Sequence, residues 1–464
     1  MQRVLGVQVL EGPRDWQIIQ RNEYGAASIT LRGTWNAMSD DDVNIQARIV
    51  DEQTNAPVSA SLDWLSGTVD MEEKRFEIVL KGVPQGGLYR IETRIRRTGE
   101  DRRALRGDYI HHLGVGDIYV IAGQSNASGT GKGVVTDGPM LGVHLFANDE
   151  QWKLATHPLE DAQGTLHPIT ATGIFHGHSP WLAFAKHVFK KTGIPIGLIP
   201  TALGGSPISR WIHDVDCPGD LFENMKSMMT AAGGTIAGVL WYQGESDTDP
   251  QGVEMYPGRF RTFVDAARSY TSNATLPIYV GQLNRWTDAN ADDSSWSAIR
   301  DIQRRLALEM EHVHLVITID SSLSDAIHNN AASNVVIGER FAAVALEKFY
   351  GLPKMTAFPA PARLYFTDNN RTRIRIEFVN VSGEWMASSP VITDFYVEDG
   401  GRAVQMEAVT IHPDNSVEIE LDHSCTGEVV VHCMFGGNPS ISLRDDLGRC
   451  AVPFSMTVER VLGA

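Results

Sequence analysis

Five short apolar runs, residues 118–122, 194–200, 236–242, 276–283 and 313–319, recur through the middle of this chain without polar alternation. Rich in β-branched and aromatic residues, they read as strands covered on both faces, the pattern of a parallel sheet. Between and after them lie segments with helical spacing at 180–191, 220–232, 256–270, 295–310 and 334–351, the last stopping at Gly351 with Pro353 beyond. Five βα units in succession predict an α/β fold, a parallel five-stranded sheet with helices on both faces.

On either side the texture is different. Residues 16–20, 28–35, 43–50, 75–83 and 88–96 bunch β-formers at the intervals of a small sandwich, and 362–368, 373–380, 392–399, 417–423, 428–435 and 456–461 do so again. The expected organisation is an N-terminal β-sandwich over 1–112, an α/β domain over 113–352 and a C-terminal all-β domain over 353–464. One interval breaks the rhythm: 129–179 offers roughly fifty residues without a convincing element, long enough for a functional rather than an idle loop.

Composition narrows the function. With 42% hydrophobic and 21% charged residues the chain has core enough for two or three soluble domains. A net charge of −17 argues against nucleic acid and anionic membrane surfaces as partners, and no apolar run has the length of a membrane span. Cys217, Cys425, Cys433 and Cys450 show no zinc spacing; the last three could supply one disulfide or remain thiols. The N-terminus lacks the apolar region of a signal peptide, which leaves a cytoplasmic protein or a secreted form without its leader.

In a parallel sheet the carboxyl ends of all strands share one edge, where such sheets bind ligands. The first run ends in Gly123-Gln-Ser125-Asn, the second in Gly204-Gly205-Ser206-Pro207, the third in Gln243-Gly-Glu245, the fourth in Gln282-Leu-Asn284-Arg285, and the fifth leads to Asp325-Ala-Ile-His328. A serine, a small-residue turn, an amide and an Asp–His pair thus converge on one crevice. That set suits acyl transfer: Ser125 as nucleophile, His328 as base, Asp325 on the imidazole Nδ1–H. The Ser125 and Gly205 amides and the Gln243 side chain are candidate oxyanion donors. Taken alone, Ser125 reads as a helix N-cap, Gly204-Gly205 as an ordinary turn and Gln243 as a surface residue.

Other motifs carry less. Asp108-Tyr-Ile-His111 repeats the Asp–His spacing, but it precedes the nucleophile strand and reads as structural. The run GTGKG at 129–133 is not a phosphate-binding loop. His176-Gly-His178 has no carboxylate or cysteine beside it in sequence, so no metal and no cofactor are expected. Trp211 and Trp241 read as core rather than as sugar platforms.

The blocks GQSNASG, GGSPISRW, WYQGESD and DAIHNN…IGERFAAVALEKFYG resemble, in order, those of the SGNH-hydrolase carbohydrate esterases, and among them the sialate O-acetylesterases, related to acetylxylan esterases. The resemblance covers about 113–352 and, loosely, the β flanks. It implies a flavodoxin-like sheet, Ser125, His328 and Asp325 as the triad, and Gly205 and Gln243 as oxyanion donors. Arg210 and Asn329 depart from the pattern. Arg210 and Glu245 are candidates for substrate binding; for Arg210 the alternative is an ion pair, with Asp214 the nearest partner in sequence. The expected function is a metal-independent serine esterase acting on an O-acetylated carbohydrate. The alternatives are an acetylxylan or other polysaccharide acetylesterase, and a glycan-binding protein with a relict esterase domain.

Overall fold

The computed structural model describes residues 5–39, 42–97, 104–170, 177–353 and 357–460. Its central feature is a long strand, β1 (Ala104–Gly123). The first half of β1 alternates exposed and half-buried residues and pairs antiparallel with Gly86–Arg97; from Leu113 onward every residue is buried. The expected boundary at 112/113 therefore falls inside a strand: Ile18–Gln20, Val43–Asp51, Leu65–Ser66 and Gly86–Arg97 are hydrogen-bonded with the central strands into one mixed sheet, while the other N-terminal strands form a four-stranded sheet of their own.

Beyond β1 come β2 (Val143–Phe146), β3 (Trp152–Leu154), β4 (Ile196–Pro200), β5 (Gly238–Tyr242), β6 (Ile278–Gly281) and β7 (Val313–Val316). They lie in the order β3-β2-β4-β1-β5-β6-β7; β3 alone is antiparallel to its neighbour. The five expected strands are adjacent and mutually parallel. The sheet is wider than expected, because the 129–179 interval contributes β2 and β3. Each is only three or four residues long, too short for a periodicity to register against the flanking turns.

The pleat assigns each side chain of β1 to a layer. Ile118, Val120 and Ala122 face the helices α3 (Asp220–Ala232), α4 (Pro250–Thr271) and α5 (Asp293–Glu309). Tyr119 and Ile121 face α2 (Trp181–Thr192) and α6 (Ala331–Lys348). Trp211 and Trp241 are fully buried in the first layer with rings 5.3 Å apart edge to face, so they are core. Burying an aromatic of that size contributes about 1.5–3 kcal/mol, which a solvent-facing platform would forgo.

C-terminal strands form two four-stranded sheets around a core of their own that also takes in Ile317 and Ile319. All four cysteines are free thiols and buried. Among the described residues no helix is long and apolar enough to cross a membrane.

Candidate active site

β1 ends on a constraint. Gly123 has φ +131°, and a Cβ there would lie 2.1 Å from the Tyr242 carbonyl oxygen, so only glycine lets β1 close against β5. The chain then turns into a single helical turn, α1 (Ser125–Ser128). Ser125 is the first residue of that turn; the capping position belongs to Gln124.

Across the crevice, the segment after β7 curls so that Asp325 Oδ1 accepts the Ile327 and His328 amides at 3.0 and 2.9 Å. Its Oδ2 lies 2.9 Å from His328 Nδ1, and His328 Nε2 lies 2.9 Å from Ser125 Oγ. With the ring proton on Nδ1 held by Asp325, Nε2 is free to accept the serine hydroxyl. Partial burial pushes the Asp325 carboxyl upward, but the His328 ring and the two amides outweigh it and hold it below its ordinary value. Asp325 therefore stays ionised and orients the ring.

A buried network fixes the segment that carries His328, and most of it does not follow from the sequence. Asn126, next to Ser125, donates to Ile327 O at 3.3 Å and to Glu245 Oε1 at 2.8 Å, and accepts the Asn329 amide at 3.1 Å. Asn284, at the end of β6, donates to Ile327 O at 3.1 Å and to Asn329 Oδ1 at 2.8 Å. Asn329 donates in turn to the Tyr242 hydroxyl at 3.1 Å. Both peptide groups flanking His328 are thus held by asparagines from other strand ends. The signal in the sequence is the placement of Asn126 and Asn284 at strand ends, like Ser125 itself.

Of the other candidates, Gly204 stands against Ser125: a Cβ on it would lie 3.7 Å from Ser125 Cβ. Gly205 follows at φ +69° with open space around it. Gln243 faces inward. It is fully buried, and its Nε2 donates to Asp247 Oδ2 at 2.5 Å, Ser206 O at 3.2 Å and Gln124 Oε1 at 3.3 Å. Asp247 also accepts the Ile208 amide at 3.0 Å, so Gln243 ties the β4 and β5 loops together. Glu245 is buried against Asn126; burial raises its carboxyl, only partly offset by the Asn126 bond. Arg210 is gripped by Asp220, not Asp214: Nε lies 3.1 and 3.2 Å from its two oxygens and Nη2 2.5 Å from Oδ2. The Asp108 carboxylate takes the Val9 amide and His111 lies beside Glu52, both remote from the crevice edge. His176 lies outside the described residues.

Residues 115–347 match the family described as carbohydrate esterase, sialic acid-specific acetylesterase. The chain belongs to this family of carbohydrate esterases, and it is a carboxylic ester hydrolase. A probable carbohydrate esterase of Arabidopsis thaliana is 29% identical over 203 residues, spanning 39% of this chain and 72% of that protein. The crystal structure of a carbohydrate acetylesterase from Xanthomonas citri superposes with a TM-score of 0.64 at 19% identity, covering 96% of this chain and 98% of that one. At that identity the likeness is one of fold, and it extends over the β flanks as well as the α/β region.

Proposed function

We propose that the protein is a serine carbohydrate O-acetylesterase whose substrate is an O-acetylated sialic acid. The observation that carries the mechanism is the unbroken chain Asp325 Oδ2–His328–Ser125 Oγ, with both links at 2.9 Å. Ser125 Oγ attacks the acetyl carbonyl as its proton passes to His328 Nε2, and the imidazolium is stabilised by Asp325. The tetrahedral oxyanion is received by the Ser125 amide and the Gly204–Gly205 turn. Collapse breaks the ester C–O bond, and His328 returns its proton to the departing sugar oxygen. Water, deprotonated by His328, then attacks the acetyl-serine, and acetate leaves as Ser125 regains its proton. Gln243 and Glu245 act behind this surface, as positioning residues for the β4–β5 loops and the base segment. Such an arrangement favours an active enzyme over a glycan-binding protein with a relict site, because a relict has no need of an aligned base.

For the sialic acid carboxylate, the family description is the main support. A nearby cation adds to it: Lys132 is exposed, and its backbone carbonyl accepts the amide of Ala331, three residues after His328, at 2.9 Å. One observation favours a second reading, a neutral polysaccharide such as acetylated xylan: the Arg210 guanidinium is already committed to Asp220. Acetate release from O-acetylated sialosides, acetylated xylan and p-nitrophenyl acetate separates the two. The sialate reading expects kcat/KM for the sialoside to exceed that for xylan at least tenfold. The reverse order would overturn it, and no release from any of the three would overturn the esterase mechanism.

A further inference from the structure

Apart from the crevice, the 129–179 interval gathers a second Asp–His group. Asp137 precedes β2, His157 follows β3 and His178 stands just before α2. The Nε2 atoms of His157 and His178 lie 3.1 and 3.0 Å from the same oxygen, Asp137 Oδ2. Its other oxygen, Oδ1, accepts Lys186 Nζ at 2.7 Å, and that ammonium also reaches Gly138 O at 2.9 Å. The two imidazoles face one another with centroids 3.9 Å apart and planes 30° from parallel. The three side chains are only 4–16% exposed.

We propose that Asp137, His157 and His178 form a binding site for a zinc-class divalent cation, with solvent in the fourth position, that clamps the stretches before β2, after β3 and before α2 together. Two imidazoles and a carboxylate are borderline ligands suited to zinc. Tetrahedral bonds of ~2.0–2.1 Å place ligand atoms about 3.3 Å apart. The Nε2···Oδ2 gaps are a few tenths of an ångström short of that, a change that small side-chain rotations supply. Lys186 occupies the far carboxylate oxygen, where a ligating carboxylate takes its own hydrogen-bond partner. The site lies close to the nucleophile along the backbone: His178 and Gly131 exchange both amide–carbonyl bonds at 2.9 and 3.1 Å, Gly177 donates to Gly129, and Gly129 donates to Ser125 O at 3.0 Å. A bound ion would therefore pin the segment leaving the Ser125 turn without touching the reacting atoms. This inference does not depend on the serine mechanism.

The competing account is a plain hydrogen-bond network using the same atoms, and the test must separate the two. Full-length protein is dialysed against a chelator and titrated with zinc chloride, reading bound metal and Tm, then with cobalt(II), reading the visible absorption of a tetrahedral site. One zinc per chain is expected, with Tm rising as it binds. His157→Gln should weaken that binding by more than the roughly 10–100-fold that loss of an outer partner costs. A wild-type protein that takes up no zinc, or zinc uptake and cobalt absorption that persist unchanged in His157→Gln, would overturn the site. Should His157→Gln fail to fold, the cobalt spectrum of the wild type decides alone, and its absence leaves the network.

Discussion

Asp325 and Asp137 each hold histidine, and they put it to opposite use. Asp325 takes Nδ1 of His328, which turns Nε2 outward to a hydroxyl. Asp137 takes Nε2 of both His157 and His178, so those two nitrogens converge on one point. A carboxylate fixes the proton on the ring nitrogen it touches, so Nε2 of His328 is left free, whereas His157 and His178 must give up the Nε2 proton before those atoms can take a metal. The two groups also differ in how they are assembled. Asp325 and His328 share one tight turn, whereas Asp137, His157 and His178 come together only because β2 and β3 fold back onto the sheet.

The sharpest break of the comparison is at the hydroxyl. Ser125→Ala should lower kcat/KM by about 10⁴–10⁶-fold, while Tm stays within a degree or two, since the hydroxyl's partner, the half-buried His328 Nε2, remains open to water. Retention of a tenth of the activity would remove Ser125 from the mechanism. Asp325→Asn should cost less, about 10²–10⁴-fold, because the ring loses its tautomer preference but not its place: the asparagines still hold both neighbouring peptides. A loss equal to that of Ser125→Ala would mean that Asp325 does more than orient the ring.

How much of this was legible follows the same divide. The five parallel strands, the helices between them and the gathering of Ser125, Asp325 and His328 at one edge could be read from the sequence, because each rests on a local pattern repeated at strand ends. What escaped depended on distance. Of the strand β1 only 118–122 stands out in the sequence, because its exposure changes midway, although its backbone is continuous from Ala104. Gln243 is placed at the strand-end edge, but its amide is turned inward by Ser206 and Gln124, 37 and 119 positions away, as well as by nearby Asp247. Likewise His178 looks solitary because its carboxylate lies 41 positions earlier.

A third measurement probes the layer behind the triad through its charge. Burial raises the Glu245 carboxyl, so the folded state keeps that proton to higher pH than the unfolded chain, where a glutamic acid ionises near ~4.3. Its contribution is therefore most favourable at low pH and is lost as pH rises from that range through the raised value. Glu245→Gln cannot ionise. Its Tm relative to wild type should climb between pH 4 and 7, with Asn126 still bonded to the side-chain oxygen. A constant difference over that interval would show that Glu245 is charged in the fold.

The smallest effect is expected at Arg210, where the sign of the linkage reverses. Its bond to Asp220, set against a little burial, holds that carboxyl below its ordinary value. The pair therefore stabilises the fold above the ordinary carboxylate range and loses that contribution as pH falls through the lowered value. Both side chains are more than a quarter exposed, so solvent limits the pair to about 1 kcal/mol or less. Arg210→Met should lower Tm slightly at neutral pH, no longer do so in acid, and change kcat/KM for sialosides and neutral esters alike. Asp220→Asn should reproduce that stability profile, because it removes the same pair from the other side. If Arg210→Met instead lost turnover on acetylated sialosides alone, the guanidinium would have to leave Asp220 to meet the substrate carboxylate. The comparison would then gain a third use of an acidic partner in this chain, a carboxylate that holds a cation in reserve for an anionic sugar.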